Sequence, residues 1–393
     1  MSNRRRRRLE TAAAAVAWLA AAGCDGEAPR DVGGREAGAA ASRPAAGRRL
    51  VEVGDAAGVT AIVRSGEETQ RHIPEVKATG VAVFDYDGDD RLDLLFTGGS
   101  TLKRFAAGEP GFGCTLYRNE TPPGGPLRFV DVTERAKLPA ARWPGGPCVV
   151  DYDADGDLDV LLTGFGGLAL WRNRGDGTFE DATKAARLAV GGWSSGAACA
   201  DFDGDGDLDV YVARYLRFDV ANPPVHGARF TCLWKGREVL CGPRGLPPEP
   251  DVVLRNDGDG GFTDVTTAWG FDRAAPQYGL GVLVDDFDRD GRPDVFVAND
   301  SGPSFLWWNR GGTSFVEGGF EAGVAYGEDG GETAGMGVDS ADLNGDGVPD
   351  LVVTNFEAQP NSLFISRGER LWLESSRAFG VALPSLPDLG WGC

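Results

Sequence analysis

Between residues 85 and 350 the chain writes one nine-residue pattern five times, with oxygen-bearing side chains at positions 1, 3, 5 and 9. The copies are Asp85, Asp87, Asp89, Asp93; Asp151, Asp153, Asp155, Asp159; Asp201, Asp203, Asp205, Asp209; Asp286, Asp288, Asp290, Asp294; and Asp342, Asn344, Asp346, Asp350. Position 6 is glycine in four of them and Asp90 in the first. Alternating hard oxygens with a glycine that lets the chain turn back are what a calcium loop requires. Up to five Ca2+ sites are therefore expected, the first being the poorest fit because Asp90 replaces the turn glycine. A single such loop also reads as a metal-free Asx turn, but five in register favour a cation. An EF-hand would need a glutamate at position 12 followed by a helix. Position 12 is instead Phe96, Leu162, Val212, Val297 and Val353, and positions 10 to 12 have the β-branched, apolar character of a buried strand. The loop joins two strands.

The flanks repeat as well. A glycine stands five residues before each first aspartate (Gly80, Gly146, Gly196, Gly281, Gly337), which suits an inner strand crowded by neighbouring backbone. Downstream, an aromatic-rich strand ends in Asn119, Asn173, Asn256, Asn309 and, in the last copy, Ser366. A further strand follows, such as residues 179–183 or 262–266. Four short strands per unit of about 50 to 60 residues describe an all-β propeller blade, and five such blades carry an acidic loop. Residues 50–53, followed by Ala57 and Gly58, read as one more outer strand that would complete the last blade. Sustained helical periodicity is hard to find.

The N-terminus differs from the rest. Arg4 to Arg8 form a basic cluster, residues 12–22 a short apolar stretch, and Gly23 and Cys24 follow. So short a run does not span a bilayer, and the layout is that of a secretory signal. Residues 21–24 resemble a bacterial lipobox, which predicts lipidation at Cys24, ordinary cleavage being the alternative. Arg6 to Leu9 also resemble a twin-arginine signal, so the export route stays open. The expected organisation is a signal peptide over 1–24, a disordered linker over 25–48, and a propeller over 49–393 with a Cys-bearing insertion at 217–250. Cys232 and Cys241 lie together in that Pro-rich insertion, where export permits a disulfide. The remaining cysteines fall in or beside strands and read as buried thiols. The seven have no zinc-ligand spacing.

The net charge of −20 argues against nucleic acid or an anionic membrane as partner of the body, leaving a lipid anchor at Cys24 as the only membrane contact. Five divalent ions would halve that charge. His72 and His226 are the only histidines, and each reads as a surface residue, not as a catalytic base. No P-loop or dinucleotide fingerprint is present. In every repeat the fifth and sixth residues after the last aspartate begin one loop, and propeller loops gather on one face. Arg214, Tyr215, Asn299, Asp300, Asn355 and Phe356 would then form a polar and aromatic ring for an extracellular protein or carbohydrate, unless they merely make turns. The reading is an exported binding or scaffold module without catalysis. The alternative is a propeller hydrolase or lyase that uses carboxylates such as Asp300 and Glu332.

The five loops, with residues 297–301, 334–338 and 352–356 and the Cys-bearing insertion, resemble the FG-GAP/VCBS repeats of the cartilage acidic protein (ASPIC/UnbV) family over roughly residues 50 to 393. The resemblance implies an exported propeller, commonly seven-bladed, that binds calcium through these loops. No ASPIC-type C-terminal domain is visible. Gly392 would be the leading glycine of a sixth repeat, so a truncated or split product with an incomplete ring is expected.

Overall fold

A computed structural model describes residues 51–392 apart from 69–71, 78, 225–231, 235, 240–241, 357, 369 and 389. The expected signal peptide, the linker, Cys24, His226 and Cys241 lie outside the described residues.

Five antiparallel units follow one another. Unit 1 holds β1 (Val81–Phe84), β2 (Asp93–Phe96), β3 (Thr115–Asn119) and β4 (Phe129–Asp131). Unit 2 holds β5 (Pro144–Val150), β6 (Asp159–Phe165), β7 (Ala169–Asn173) and β8 (Phe179–Asp181). In unit 3, β9 (Trp193–Ala200) and β10 (Asp209–Arg214) precede the insertion, whose hairpin is β11 (Cys232–Trp234) and β12 (Arg237–Val239). That unit closes with β13 (Val252–Asn256) and β14 (Phe262–Asp264). Unit 4 is β15 (Gly279–Asp285), β16 (Asp294–Gly302), β17 (Phe305–Asn309) and β18 (Phe315–Glu317). Unit 5 is β19 (Thr333–Ala341), β20 (Asp350–Asn355), β21 (Ser362–Ser366) and β22 (Trp372–Glu374). The fold is all-β and propeller-like. Each acidic loop joins the first and second strands of its unit.

The outer strands are shorter than expected. Asp181 and Asp264 accept the N–H of Thr183 and Thr266, at 2.9 and 3.0 Å, and turn the chain out of the sheet. Residues 51–53 form no strand; a one-turn helix, Gly54–Ala57, follows them. Among the described residues no strand pairs with them.

Because side chains alternate along a strand, each unit offers one face to the unit before it and the other to the unit after it. The core is accordingly divided into layers between units. Val160, Leu162 and Trp171 pack toward Phe84 and Leu95 of unit 1, whereas Val150 and Leu161 of the same sheet pack toward Val210 and Val212 of unit 3. The leading glycines lie where inner strands meet. A Cβ on Gly196 would stand 2.3 Å from the Leu280 carbonyl, and one on Gly281 2.5 Å from that of Met336. Gly80 and Gly337 meet the Cα of Gly146 and Gly392 in the same way, at 2.9 and 2.8 Å. The expected close backbone approach is present at these four, whereas a Cβ on Gly146 would meet only ordinary contacts.

The asparagine that ends the third strand ties units together. Its amide donates to the backbone carbonyl of loop position 2 in the preceding unit: Asn173 to Tyr86 at 2.8 Å, Asn256 to Tyr152 at 2.7 Å and Asn309 to Phe202 at 2.9 Å. Asn119, in the first unit, donates within its own unit to Leu92 at 3.0 Å. An unpaired buried carbonyl costs about 1–3 kcal/mol. Asn256→Ala should therefore lower stability by about 2–3 kcal/mol and Asn119→Ala by about 1 kcal/mol, read as a difference in urea midpoints.

Candidate metal centres and the axial cluster

Loop curvature comes first from the backbone. Positions 4 and 6 are left-handed in all five loops, and position 4 includes Ala154 (φ 56°) and Arg289 (φ 59°) as well as three glycines. Asp90 takes the same conformation at position 6 (φ 63°), so the first loop keeps the shape of the others. The position-1 aspartate holds the turn by accepting the position-6 N–H, at 2.8 Å for Asp85 and 3.0 Å for Asp201. The Asx turn and the acidic cluster are therefore one structure.

Position 9 is the buried anchor. Asp93, Asp159, Asp209, Asp294 and Asp350 are wholly inaccessible. Each accepts the N–H of loop position 2 with one oxygen and the N–H ending the third strand with the other, as Asp209 does from Phe202 (3.0 Å) and Asn256 (2.8 Å). Burial pushes Asp93, Asp209 and Asp294 up to about 7 and Asp159 up to about 8, against these hydrogen bonds and with help from the neighbouring carboxylates. Such a carboxyl is short of positive charge.

Carboxylate oxygens converge to within 4.8 Å in four loops: Asp85, Asp87 and Asp93; Asp151, Asp153 and Asp159; Asp201, Asp203 and Asp209; Asp286, Asp288 and Asp290. One buried oxygen on each of Asp87 and Asp153 has no hydrogen-bond partner. An orphaned, desolvated carboxylate oxygen beside two others fits a hard cation. The convergence is narrower than the expected four ligands in every loop. Position 5 is drawn to arginine in the first two, Asp89 to Arg118 at 2.8 Å and Asp155 to Arg172 at 3.1 Å. Those arginines also hold Asp87 and Asp153, at 2.6 and 2.7 Å. In the fifth loop the Asn344 amide donates to Asp346 at 3.0 Å. An arginine precedes the terminal asparagine in three repeats (Arg118, Arg172, Arg255). Arg255 turns instead to Asp257, at 2.6 Å.

Four of the six residues of the expected binding ring are buried. Tyr215, Asn299 and Asn355 have no exposed surface, Asp300 retains 4% and Arg214 is half-buried, while Phe356 is exposed. The second strands run on through these positions: β6 pairs with β9 through Gly164 and Phe165, and β16 with β19 through Asp300 and Gly302. The two asparagine amides serve as turn-makers, donating to the Pro303 and Pro360 carbonyls, both at 2.7 Å.

Two of the six meet in an axial cluster that the sequence did not foretell. Lys77 donates to Tyr215 Oη (2.6 Å) and to Asp300 Oδ2 (2.9 Å), and Tyr215 donates to the same oxygen at 2.6 Å. Burial holds the Lys77 ammonium below its ordinary range, with Asp300 pulling the other way. The Tyr215 and Trp391 rings lie 4.1 and 5.0 Å from its nitrogen. Lys77 borders an open cavity of about 620 Å³ lined by the inner strands, with Gly146, Ser195, Gly281, Gly337 and Trp391 on its wall. Asp300 Oδ1 accepts from Ser301 at 3.0 Å, and Glu332 pairs with Arg244 at 2.9 Å. His72 packs against the insertion, its Nδ1 3.1 Å from the Pro224 carbonyl. No helix among the described residues is long and apolar enough to cross a membrane.

Residues 151–212, 237–297 and 286–353 each match the model for FG-GAP-like repeats. Over these stretches the chain carries FG-GAP-like repeats. Part of it is similar to cartilage acidic protein 1, at 40% identity over 65 residues in Xenopus tropicalis (16% of this chain, 10% of that one). The Homo sapiens protein is 38% identical over 87 residues, 22% of this chain and 12% of that one. These alignments thus span about an eighth or less of the curated relatives' length. Among solved structures, an Agrocybe aegerita lectin is 19% identical, covering 76% of this chain and 65% of its own, with a TM-score of 0.41. The V. cholerae biofilm matrix protein Bap1 is 16% identical over 76% of this chain and 38% of its own, with a TM-score of 0.35.

Removing one partner from a buried ion pair leaves an uncompensated charge and costs about 3–5 kcal/mol. Lys77→Met should destabilise the chain by about that amount in urea titration, and adding Asp300→Asn should recover part of the loss.

Proposed function

We propose that this protein is an exported, calcium-binding propeller that serves as a binding or scaffold module for an extracellular protein or polysaccharide and performs no chemistry of its own. The observation that carries the reading is the carboxylate cluster repeated in four loops, three of them built on the buried position-9 aspartate and two with an orphaned oxygen. Asp85, Asp87 and Asp93, with their counterparts in the second and third loops and Asp286, Asp288 and Asp290 in the fourth, would hold the ion. An all-oxygen set without histidine or cysteine favours Ca2+ over zinc and redox metals. The ion supplies charge neutralisation and cross-linking, so that binding becomes folding free energy. The chain's own residues form the loop, desolvate the position-9 carboxylate and pass its hold to the third strand. The fifth loop, with Asn344, would be the weakest site.

The binding reading is favoured by the engagement of the two acids outside the loops that a carboxylate mechanism would use. Asp300 accepts from Lys77, Tyr215 and Ser301, and Glu332 faces Arg244. A binding surface would use the rim of the units, where Phe356 is exposed, and the cleft between Phe105, Phe218 and the insertion.

Extracellular calcium modules bind with constants around 10⁻⁴ to 10⁻³ M, and at tenfold excess each site contributes about 1.4 kcal/mol. Millimolar Ca2+ should raise the melting temperature by several degrees, Mg2+ should do much less, and a chelator should reverse the effect. Asp203→Asn reproduces the residue that the fifth loop already carries at position 3. It should weaken one site roughly tenfold in calorimetric titration while leaving the fold intact. Absence of calcium uptake by the pure protein would refute the reading.

A further inference from the structure

Two thiols meet at the junction of units 2 and 3. Cys148 lies on β5 and Cys199 on β9, the innermost strands of adjacent units, 51 residues apart in sequence, and their Sγ atoms stand 3.1 Å apart. Strand alternation places them face to face. Cys148 shares its face with Val150, which packs toward unit 3, whereas Val149 between them packs toward unit 1. Cys199 shares its face with Ala197 toward unit 2, whereas Ala200 packs toward unit 4. The small Ala197 leaves room for the approach. Both cysteines are half-buried. Between units 5 and 4 the corresponding link is polar, Ser340 Oγ to Asp285 Oδ2 at 2.9 Å.

We propose that Cys148 and Cys199 form a disulfide clasp that joins units 2 and 3 along their inner edge. In the reduced chain the pair is held as one thiol hydrogen-bonded to the other, which with burial pushes the Cys199 thiol well above its ordinary range. Oxidation removes one hydrogen from each Sγ and forms the S–S bond. The two electrons and two protons pass to a disulfide-bearing oxidant such as glutathione disulfide, which leaves as two thiols. Closing the 3.1 Å separation to a bond of about 2.0 Å is within reach of small side-chain rotations. The clasp adds a covalent link at the inner edge of a junction that is also held by packing, by the two register pairs of β6 with β9, by the Asn256 bond to Tyr152 and by Arg187 with Asp257 and Asp259. It depends on neither calcium nor a ligand, so it stands or falls separately from the proposed function.

The full chain is refolded with glutathione disulfide, alkylated under denaturing, non-reducing conditions, digested and analysed by mass spectrometry. A linked pair of peptides containing Cys148 and Cys199 is expected, with Cys114 alkylated. Recovery of both cysteines alkylated, or of either one joined to a different cysteine, overturns the proposal. A phosphine reductant should lower the melting temperature of the oxidised protein by about 5–10 °C. The same reductant should leave the Cys148→Ala, Cys199→Ala double variant unmoved. If that variant does not fold, the wild-type peptide map decides alone.

Discussion

The aspartate at position 9 is the constraint on which each unit depends. Its carboxylate is wholly buried and accepts one N–H from the loop and one from the end of the third strand. A loop that hung from its two strands alone would be free to splay. Here it is sewn to a third strand by a group that is costly to bury and therefore keeps its hydrogen bonds. Burial raises the proton affinity of this carboxyl in the first four units, and the aspartates at positions 1 and 3 stand close by. The requirement for order and the affinity for positive charge thus have one origin.

That positive charge is already partly answered by the chain itself. Arg118 and Arg172 reach back from the third strands to their own loops, and Arg370 reaches Asp288 from the hairpin that follows β21. The arginines are only partly exposed, and they temper the carboxylate repulsion at positions 3 and 5 without reaching the buried position-9 carboxylate. The axial cluster answers the same problem differently. Lys77 is desolvated and shares one carboxylate oxygen with a phenol, beside the cavity that the inner strands line.

Features that depend on residues close in sequence were legible without the structure. The nine-residue loop, its left-handed turn, the crowded glycine and the four-strand rhythm all follow from local spacing. Position 4 escaped notice because Ala154 and Arg289 occupy a conformation that favours glycine, and only the backbone reveals it. The terminal asparagine was seen as a pattern without a reason, since its partner carbonyl lies 87, 104 or 107 residues away. Lys77 offered no signal at all, being 138 and 223 residues from Tyr215 and Asp300. The supposed ring of ligand-facing residues failed for a topological reason. Those positions were assigned to loops, but β16 continues as far as Gly302 to pair with the next unit, which turns Asn299 and Asp300 inward.

The aromatic residue at loop position 2 has a bearing on the whole array. Tyr86, Tyr152, Phe202 and Phe287 lie against Phe179, Phe262, Phe315 and Trp372, the leading residues of the following outer strands. Leu343, at the same position in the fifth unit, is 51% exposed, and nothing among the described residues covers it. Every junction is therefore heterologous, with a socket on one flank and a plug on the other, as in a head-to-tail polymer. The serial order of the repeats has a polarity. Each loop thus seats the outer strand of its successor, whose asparagine in turn bonds that loop's backbone.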